Sequence, residues 1–375
     1  MLLKNQTSSI ISTYAADVSG VCSALFEMGG MTVMHDASGC NSTYNTHDEP
    51  RWYDTDSMVF ISALTETEAI MGNDNKLIGD IIDAACQLSP EFIAIAGTPI
   101  PMITGTDFSA VARVVEAQTG IPSFGFDTNG MHSYLLGASA AFTAIAEHMV
   151  DTDLEKSKNL SVNILGTTPL DFSVNSYLGS VNAWLAAQGF EIIGKWGVGA
   201  RLCDIRRAKS AHVNLVMSSC GLEAARTLRR RFGTPYVIGI PINGKFSDSL
   251  AFALKSAATT GECEKAYHTD GGSDTIIIGE AVAAGCIKDA AYKKYGIKMH
   301  VLCPPDTDYE VLPCDSQALG GENITRRILA SAKRIIADPL YMPICPETAE
   351  FIPLPHEAFS GRIFRESIPD LMKTF

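Results

Sequence analysis

Short apolar runs followed by helical patterns recur along most of the chain. Each run has the length of a strand and lacks strict alternation, so we expect it to be buried on both faces of a parallel sheet. The runs are Met58–Ala63, Phe92–Ala96, Val162–Leu165, Val213–Met217, Tyr236–Ile240, Thr275–Ile278 and Met299–Leu302. Apolar residues at helical spacing predict helices over Leu77–Leu88, Phe108–Gln118, Leu222–Phe232 and Ala281–Tyr295.

This strand–turn–helix order predicts an α/β protein with three Rossmann-like lobes built on parallel sheets. A polar stretch, Asp151–Asn159, and a Gly-rich stretch, His268–Asp274, are interpreted as linkers. We therefore expect lobes over 1–158, 159–270 and 271–375, the last with a Pro-rich tail. Ligands of such sheets bind beyond the carboxyl ends of the strands, so the loops after residues 63, 96, 165, 217 and 240 are candidate sites.

Composition narrows the class of protein. The net charge of −13 disfavours nucleic-acid binding, and it either serves solubility or attracts a basic partner. No apolar leader or membrane-length apolar stretch is present, which leads us to expect a cytoplasmic protein without membrane contact. The ten scattered cysteines are then expected to be free thiols.

Nucleotide motifs are absent from the sequence. There is no GxxxxGK[ST] phosphate loop, so we do not expect this chain to hydrolyse ATP. The Gly-rich stretch 194–199 lacks the strand–turn–helix context of a dinucleotide site, which argues against NAD binding.

Two cysteines stand beside glycines around a short helix and strand. Cys22 closely follows Gly20, and Cys40 follows Gly39 in a turn after the apolar strand Met31–Met34. We expect both thiols to lie on turns where a bulky ligand can approach the backbone, as an iron–sulfur cluster requires. Spacing alone is explained better by two buried structural thiols.

The surrounding residues resemble a known family. Cys22 with His35-Asp36-Ala37-Ser38-Gly39-Cys40 is similar to the nitrogenase component 1 pattern, a Cys followed by a His-Gly-Pro-x-Gly-Cys turn. Gly97-Thr98-Pro99 resembles the family's Cys-Pro loop, and Asn214-Leu215-Val216 its Asn-Leu-Val strand. The resemblance implies a three-lobed fold and an iron–sulfur cluster bound by Cys22 and Cys40, with Gly39 close to it.

Departures from the family limit the ligand set. Thr98 stands where the family has a third cluster cysteine, so we expect it near the cluster without binding iron. Cys86, on the preceding helix, is either a further ligand or a thiol on the core side of that helix. Ser218 matches the cysteine that anchors the nitrogenase cofactor, and Cys220 either lines the same cavity as a ligand or is a buried thiol. The family's cofactor histidine has no clear match near the end of the chain.

Two thiolates per chain then imply a shared cluster. A four-iron cluster takes four thiolates, which a homodimer would supply from Cys22 and Cys40 of each copy. The resemblance therefore implies a [4Fe–4S] cluster shared across a dimer interface.

Polar residues near the turn have open roles. His35 is a candidate catalytic donor to cluster or substrate, or a structural turn residue. The loop with His47, Asp48, Glu49 and Arg51 either covers the site, contacts a partner or is solvated. Asp107 is expected to cap the helix that follows it.

The resemblance implies an oxidoreductase. It would accept electrons from an ATP-dependent iron–sulfur reductase and reduce a substrate between lobes, for which a tetrapyrrole is one candidate. The alternatives are a non-catalytic scaffold or carrier for metallocluster assembly, and a small-molecule binding protein without a cluster.

Overall fold

Three parallel β-sheets, each with packed helices, make up the computed structural model of the chain. The structure describes residues 8–10, 15–39, 44, 48–72, 74–272 and 274–375. Within these residues every sheet is entirely parallel, as expected for strands joined by helical crossovers. The predicted α/β class with three Rossmann-like lobes is confirmed.

The first lobe surrounds a four-stranded sheet in the order β2-β1-β3-β4. Its strands are β1 (Met31–Met34), β2 (Met58–Ile61), β3 (Ile93–Ala96) and β4 (Ser123–Phe126). Its helices are α1 (Asp17–Leu25), α2 (Glu66–Met71), α3 (Asn75–Leu88), α4 (Pro99–Thr104), α5 (Phe108–Thr119) and α6 (Tyr134–His148).

The second lobe surrounds a five-stranded sheet in the order β6-β5-β7-β8-β9. Its strands are β5 (Ser161–Thr167), β6 (Glu191–Gly197), β7 (Val213–Val216), β8 (Tyr236–Ile238) and β9 (Glu264–Lys265). Its helices are α7 (Pro169–Phe172), α8 (Tyr177–Ala187), α9 (Leu202–Arg206), α10 (Leu222–Phe232) and α11 (Lys245–Thr260).

The third lobe has the strand order β12-β11-β10-β13-β14. Its strands are β10 (Thr275–Ile278), β11 (His300–Cys303), β12 (Gln317–Ala318), β13 (Arg334–Ala337) and β14 (Glu350–Pro353). Its helices are α12 (Ala281–Tyr295), α13 (Glu322–Leu329), α14 (Glu357–Ser360) and α15 (Leu371–Thr374). The expected Pro-rich tail therefore contains β14, short helices and 3₁₀ turns, and residues 354–375, here called the C-terminal segment, end it.

Alternate residues of the first sheet pack into different cores. Met31 and Val33 of β1 face α3 and α5, whereas Met34 on the other side joins the core that includes α1 and α6. That second core continues without a break through all three lobes. The first lobe is thus fixed to the other two through α1 and α6.

Each sheet reverses its strand order at one point, where ligands of open α/β sheets bind. The reversal lies between β1 and β3, between β5 and β7, and between β10 and β13. The segments that follow the strands at these points carry His35 and Thr98, Asp171 and Ser218, and Glu280 and Asp338. The fold therefore selects these pairs as candidate site residues.

The predicted lobe boundaries at 158 and 270 stay a prediction.

Candidate functional site

Cys22 lies in the middle of α1, so the expectation that it stands on a glycine-adjacent turn is wrong. Gly20 belongs to the same helix, and a Cβ at Gly20 would collide with the Tyr134 carbonyl of α6. The glycine therefore allows close packing of two helices and does not end one. The Cys22 side chain is fully buried as a result.

A buried ionic network lies beside the cysteine helix. The Arg51 guanidinium donates to Glu49 Oε1 at 2.7 Å through Nε and to Glu27 Oε1 at 2.7 Å. It also donates to the Ser23 carbonyl of α1 at 2.8 Å, and the Ser23 hydroxyl donates to Glu49 at 2.8 Å. Asp48, Glu49 and Arg51 are all buried, so this part of the loop covers the α1 face and is not solvated. His47 lies outside the described residues.

The surroundings of Cys22 oppose a free thiolate. Burial, followed by the charges of Glu49 and Asp48, raises the pKa of the Cys22 thiol well above its usual range. Burial also raises the pKa of Asp48 to about 6, although the Ser19 hydroxyl hydrogen-bonds to it at 2.6 Å. Asp48 Oδ1 has no hydrogen-bond partner among the described residues. Without a metal the thiol is therefore protonated, and it would have to lose its proton to bind one.

The turn after β1 holds His35 against the end of β3. The Thr98 hydroxyl donates to the His35 carbonyl at 2.8 Å, and His35 Nδ1 lies 2.8 Å from the Ser62 hydroxyl. Burial lowers the pKa of His35, which favours the neutral ring. Thr98 thus fixes the turn through its hydroxyl, and no atom of the described residues lies within 4 Å of the position a Cβ of Gly39 would take. Cys40 itself lies outside the described residues.

The other candidate thiols do not converge on this site. Cys86 is exposed on α3, so the interpretation as a core-facing thiol is wrong. Cys220 is buried between lobes, 3.5 Å from the Ser218 hydroxyl, and burial raises its pKa. Over the described ranges, no three His, Cys, Asp or Glu side chains are arranged to hold a metal ion. Asp107 caps α5, as predicted, by accepting from the Ala110 N–H at 2.8 Å.

A second polar cluster lies where the three lobes meet. Asp171, on the short helix α7 that follows β5, accepts from the Tyr134 hydroxyl of the first lobe at 2.5 Å. It also accepts from the Ser218 hydroxyl of the second lobe at 2.6 Å. His356 of the C-terminal segment places Nε2 3.4 Å from Asp171 Oδ1. The loops after residues 165 and 217 were candidates from the sequence, but His356 carries no such signal.

Two further buried carboxylates border this cluster. Glu280 caps α12 and accepts hydrogen bonds from the backbone and hydroxyl of Ser219 in the second lobe. Asp338 accepts from the His356 N–H at 2.8 Å and from the Ser360 hydroxyl at 2.7 Å. Burial, followed by the charge of Asp171, raises the pKa of Glu280. The junction can therefore hold protons as well as negative charge.

Among the helices of the described residues, none is long and apolar enough to cross a membrane.

Comparison with known proteins identifies relatives of several kinds. The family model for nitrogenase component 1 type oxidoreductases matches residues 18–270. The nitrogenase iron-molybdenum cofactor biosynthesis protein NifE of Klebsiella pneumoniae is 23% identical over 193 residues, which cover 48% of this chain and 41% of that protein. A subunit of the light-independent protochlorophyllide reductase of Prosthecochloris aestuarii is 41% identical over 85 residues, covering 22% of this chain and 16% of that protein.

The fold comparison extends over nearly the whole chain. The solved structure of nitrogenase Cp1 at pH 6.5 has a TM-score of 0.69 and 14% identity, covering 99% of this chain and 92% of that one. The sequence matches are shorter than this structural match. The chain spans less than half the length of the curated relatives it matches. The family model nevertheless covers well over half of the sequence, with Cys22 inside the match. The chain therefore belongs to the nitrogenase component 1 type oxidoreductase family.

Proposed function

We propose that this chain is the substrate-reducing component of a nitrogenase-like oxidoreductase that carries an iron–sulfur cluster. The observation that carries the proposal is the position of Cys22, which lies inside the family match and is buried on α1 next to the network of Arg51 and Glu49. Cys22 would bind the cluster together with Cys40. A bound four-iron cluster supplies one-electron storage. The chain's own residues bury it, exclude water and set the charge around it.

We infer that two copies of the chain share the cluster, each supplying two of its four thiolates. An apolar surface next to the turn supports this arrangement. It is formed by α2 and α4, which contact each other, and α4 begins at Pro99, directly after Thr98. Ile70, Met71 and Ile103 on this surface are each at least 73% exposed. A second copy that covers these side chains would remove them from water and bring the two turns together.

The electron donor in this proposal is a separate ATP-dependent iron–sulfur reductase. The chain has no phosphate loop of its own and carries a net charge of −13, which favours association with a basic surface. The substrate would be a conjugated molecule such as a tetrapyrrole, held where the lobes meet. The similarity to part of a protochlorophyllide reductase supports this class of substrate.

A scaffold or carrier for metallocluster assembly is the second candidate function. The similarity to a cofactor biosynthesis protein over 193 residues favours it. A reductase passes electrons on and keeps its cluster, whereas a scaffold transfers the cluster itself to an acceptor protein. The two functions therefore differ in what leaves the protein.

Anaerobic reconstitution with iron and sulfide tests the cluster. We expect about four irons per dimer in the native protein and loss of iron, sulfide and visible absorbance in Cys22→Ser. The matched control is Cys203→Ser, because Cys203 is an exposed thiol on α9. Full iron in Cys22→Ser would refute the cluster. Loss of iron from the loaded protein to an apo-acceptor, without reduction of protochlorophyllide, would instead establish the scaffold.

Sedimentation velocity tests the dimer. We expect Ile103→Asp to convert the protein to a monomer and to lose its iron, since the charge would be buried in the interface. The matched control is Phe252→Asp on α11, where the side chain is 75% exposed in the second lobe. An Ile103→Asp protein that stays dimeric with its cluster intact would exclude this surface as the interface.

A further inference from the structure

One buried carboxylate joins all three lobes of the protein. Asp171 accepts hydrogen bonds from the hydroxyl groups of Tyr134 in the first lobe and Ser218 in the second. It also contacts His356 of the third lobe. The Thr168 hydroxyl adds a longer hydrogen bond of 3.3 Å. These hydroxyl groups fix the orientation of the Asp171 carboxylate beside the His356 ring.

The His356 side chain is fixed in place, although its ring nitrogens have no hydrogen-bond partner among the described residues. The ring stacks on Phe359 with centroids 4.6 Å apart, and its backbone N–H is bound to Asp338. Neither Nδ1 nor Nε2 has a hydrogen-bond partner among the described residues, because the Asp171 contact lies outside hydrogen-bond geometry. The side chain is 13% exposed, but both ring nitrogens are buried and face the interior of the lobe junction. A histidine held this way can exchange a proton with a ligand.

His356 and Asp171 both line an apolar cavity of about 60 Å³. Its other walls come from the second lobe, from α12 and from the C-terminal segment, and include Phe172, Ile240, Ile287 and Leu354. The volume is that of a few water molecules, so only a small part of a larger ligand would fit in it. His356 is the one imidazole in this otherwise mostly apolar lining.

The charges around the ring favour its protonated form. Burial lowers the pKa of His356, but contact with Asp171 and the charges of Asp171, Asp338 and Glu280 together raise it above its usual value. Tyr134 also faces the ring, with centroids 6.4 Å apart, and burial keeps the Tyr134 hydroxyl protonated by raising its pKa. Among the described residues, the main contributions that raise this pKa all come from carboxyl groups.

We propose that His356 is a catalytic proton donor to the substrate edge in this cavity, with Asp171 as its positioning residue. This inference rests on the proposed reductase function. Reduction of one C=C bond consumes two electrons from the iron–sulfur reductase and two protons. In each transfer the N–H bond of the imidazolium breaks and a C–H bond forms, and the neutral ring then takes a new proton from water. Asp171 takes no part in the transfer itself and acts by holding the ring in position.

Histidine NMR tests the pair without any substrate. In ¹³C-histidine-labelled protein, the signal missing from His356→Gln assigns the ring. We expect this signal to stay that of an imidazolium above pH 6.5, and Asp171→Asn to move its titration to lower pH. A ring that is neutral from pH 6 to 8, or that titrates identically in Asp171→Asn, would overturn the proposal.

Turnover gives the second test, with cluster-loaded protein, a europium(II) chelate as electron donor and protochlorophyllide as the probe. We expect His356→Gln to keep its iron and its electron uptake but to reduce the probe about 10²- to 10⁴-fold more slowly. His300→Gln, at the start of β11, is the matched control with unchanged rate. In Asp171→Asn the alkaline limb of the pH–rate profile should move to lower pH.

The two proposals fail in different ways. Equal rates in His356→Gln and in the native protein would refute the donor role and leave the reductase intact. A cluster-loaded native protein that does not reduce the probe would refute both the reductase function and the donor role that rests on it.

Discussion

Arg51→Met is the substitution whose cost the structure defines best. The Arg51 side chain makes hydrogen bonds to Glu49, Glu27 and the Ser23 carbonyl, and it lies 4.7 Å from the Phe26 ring centroid. Methionine keeps most of the apolar contact but leaves the fully buried Glu49 without its cation. Removing one partner of a buried pair costs about 3–5 kcal/mol, so we expect this loss in the free energy of unfolding.

Guanidinium denaturation of the metal-free protein measures this cost. The fluorescence of Trp52 reports on the same region, because its ring lies 6.3 Å from that of Phe26, and a Trp52→Phe variant isolates its contribution. The matched control is Arg334→Met, since the Arg334–Glu350 pair is exposed and should contribute only about 0–1 kcal/mol. A loss below about 1 kcal/mol in Arg51→Met would refute the view that this network holds the loop against α1.

Three further predictions concern packing and charge. Gly20→Ala should lower the free energy of unfolding by about 1–3 kcal/mol in urea, because the added methyl group collides with α6. Gly79→Ala, on the exposed face of α3, is the control and should raise it by about 0.5–1 kcal/mol. Equal effects of the two substitutions would contradict the close approach of α1 and α6. Because the pKa of Asp48 is raised from 3.8 to about 6, the free energy of unfolding should fall as the pH rises from about 4 to 6. Asp48→Asn should abolish this dependence on pH, and an unchanged dependence would contradict the burial of an ionisable Asp48. Glu357→Ala removes the buried partner of Arg365 and should therefore speed trypsin cleavage at Arg365. Cleavage at the native rate would show that this ion pair does not hold the C-terminal segment in place.

The regular elements were largely predictable from the sequence. The helices over Leu222–Phe232 and Ala281–Tyr295 end where predicted, because glycines at 233 and 296 adopt the left-handed conformation that closes a helix. The strand Met31–Met34 is also confirmed. These features depend on local periodicity and on local stop signals, both of which are visible in one sequence.

The candidate site was less predictable because long-range packing determines it. Gly20 suggested a turn before Cys22, but its role depends on α6, more than a hundred residues away. Asp48, Glu49 and Arg51 have the composition of a solvated loop, and only their mutual pairing against α1 allows their burial. His356 follows a proline and has no local motif, since its partners Asp171 and Asp338 come from two other parts of the chain.

The helix pair α1 and α6 connects the two sites mechanically. Cys22 lies on α1, whose residues pack closely on α6, and a Cβ at Gly137 of α6 would collide with the Asp17 carbonyl of α1. Tyr134 begins α6 and donates to Asp171 at the lobe junction. Close-packed helices of this kind transmit displacement because their interface has no room to deform. The α1–α6 interface is therefore the direct packing link between the helix that carries Cys22 and the Tyr134–Asp171 hydrogen bond.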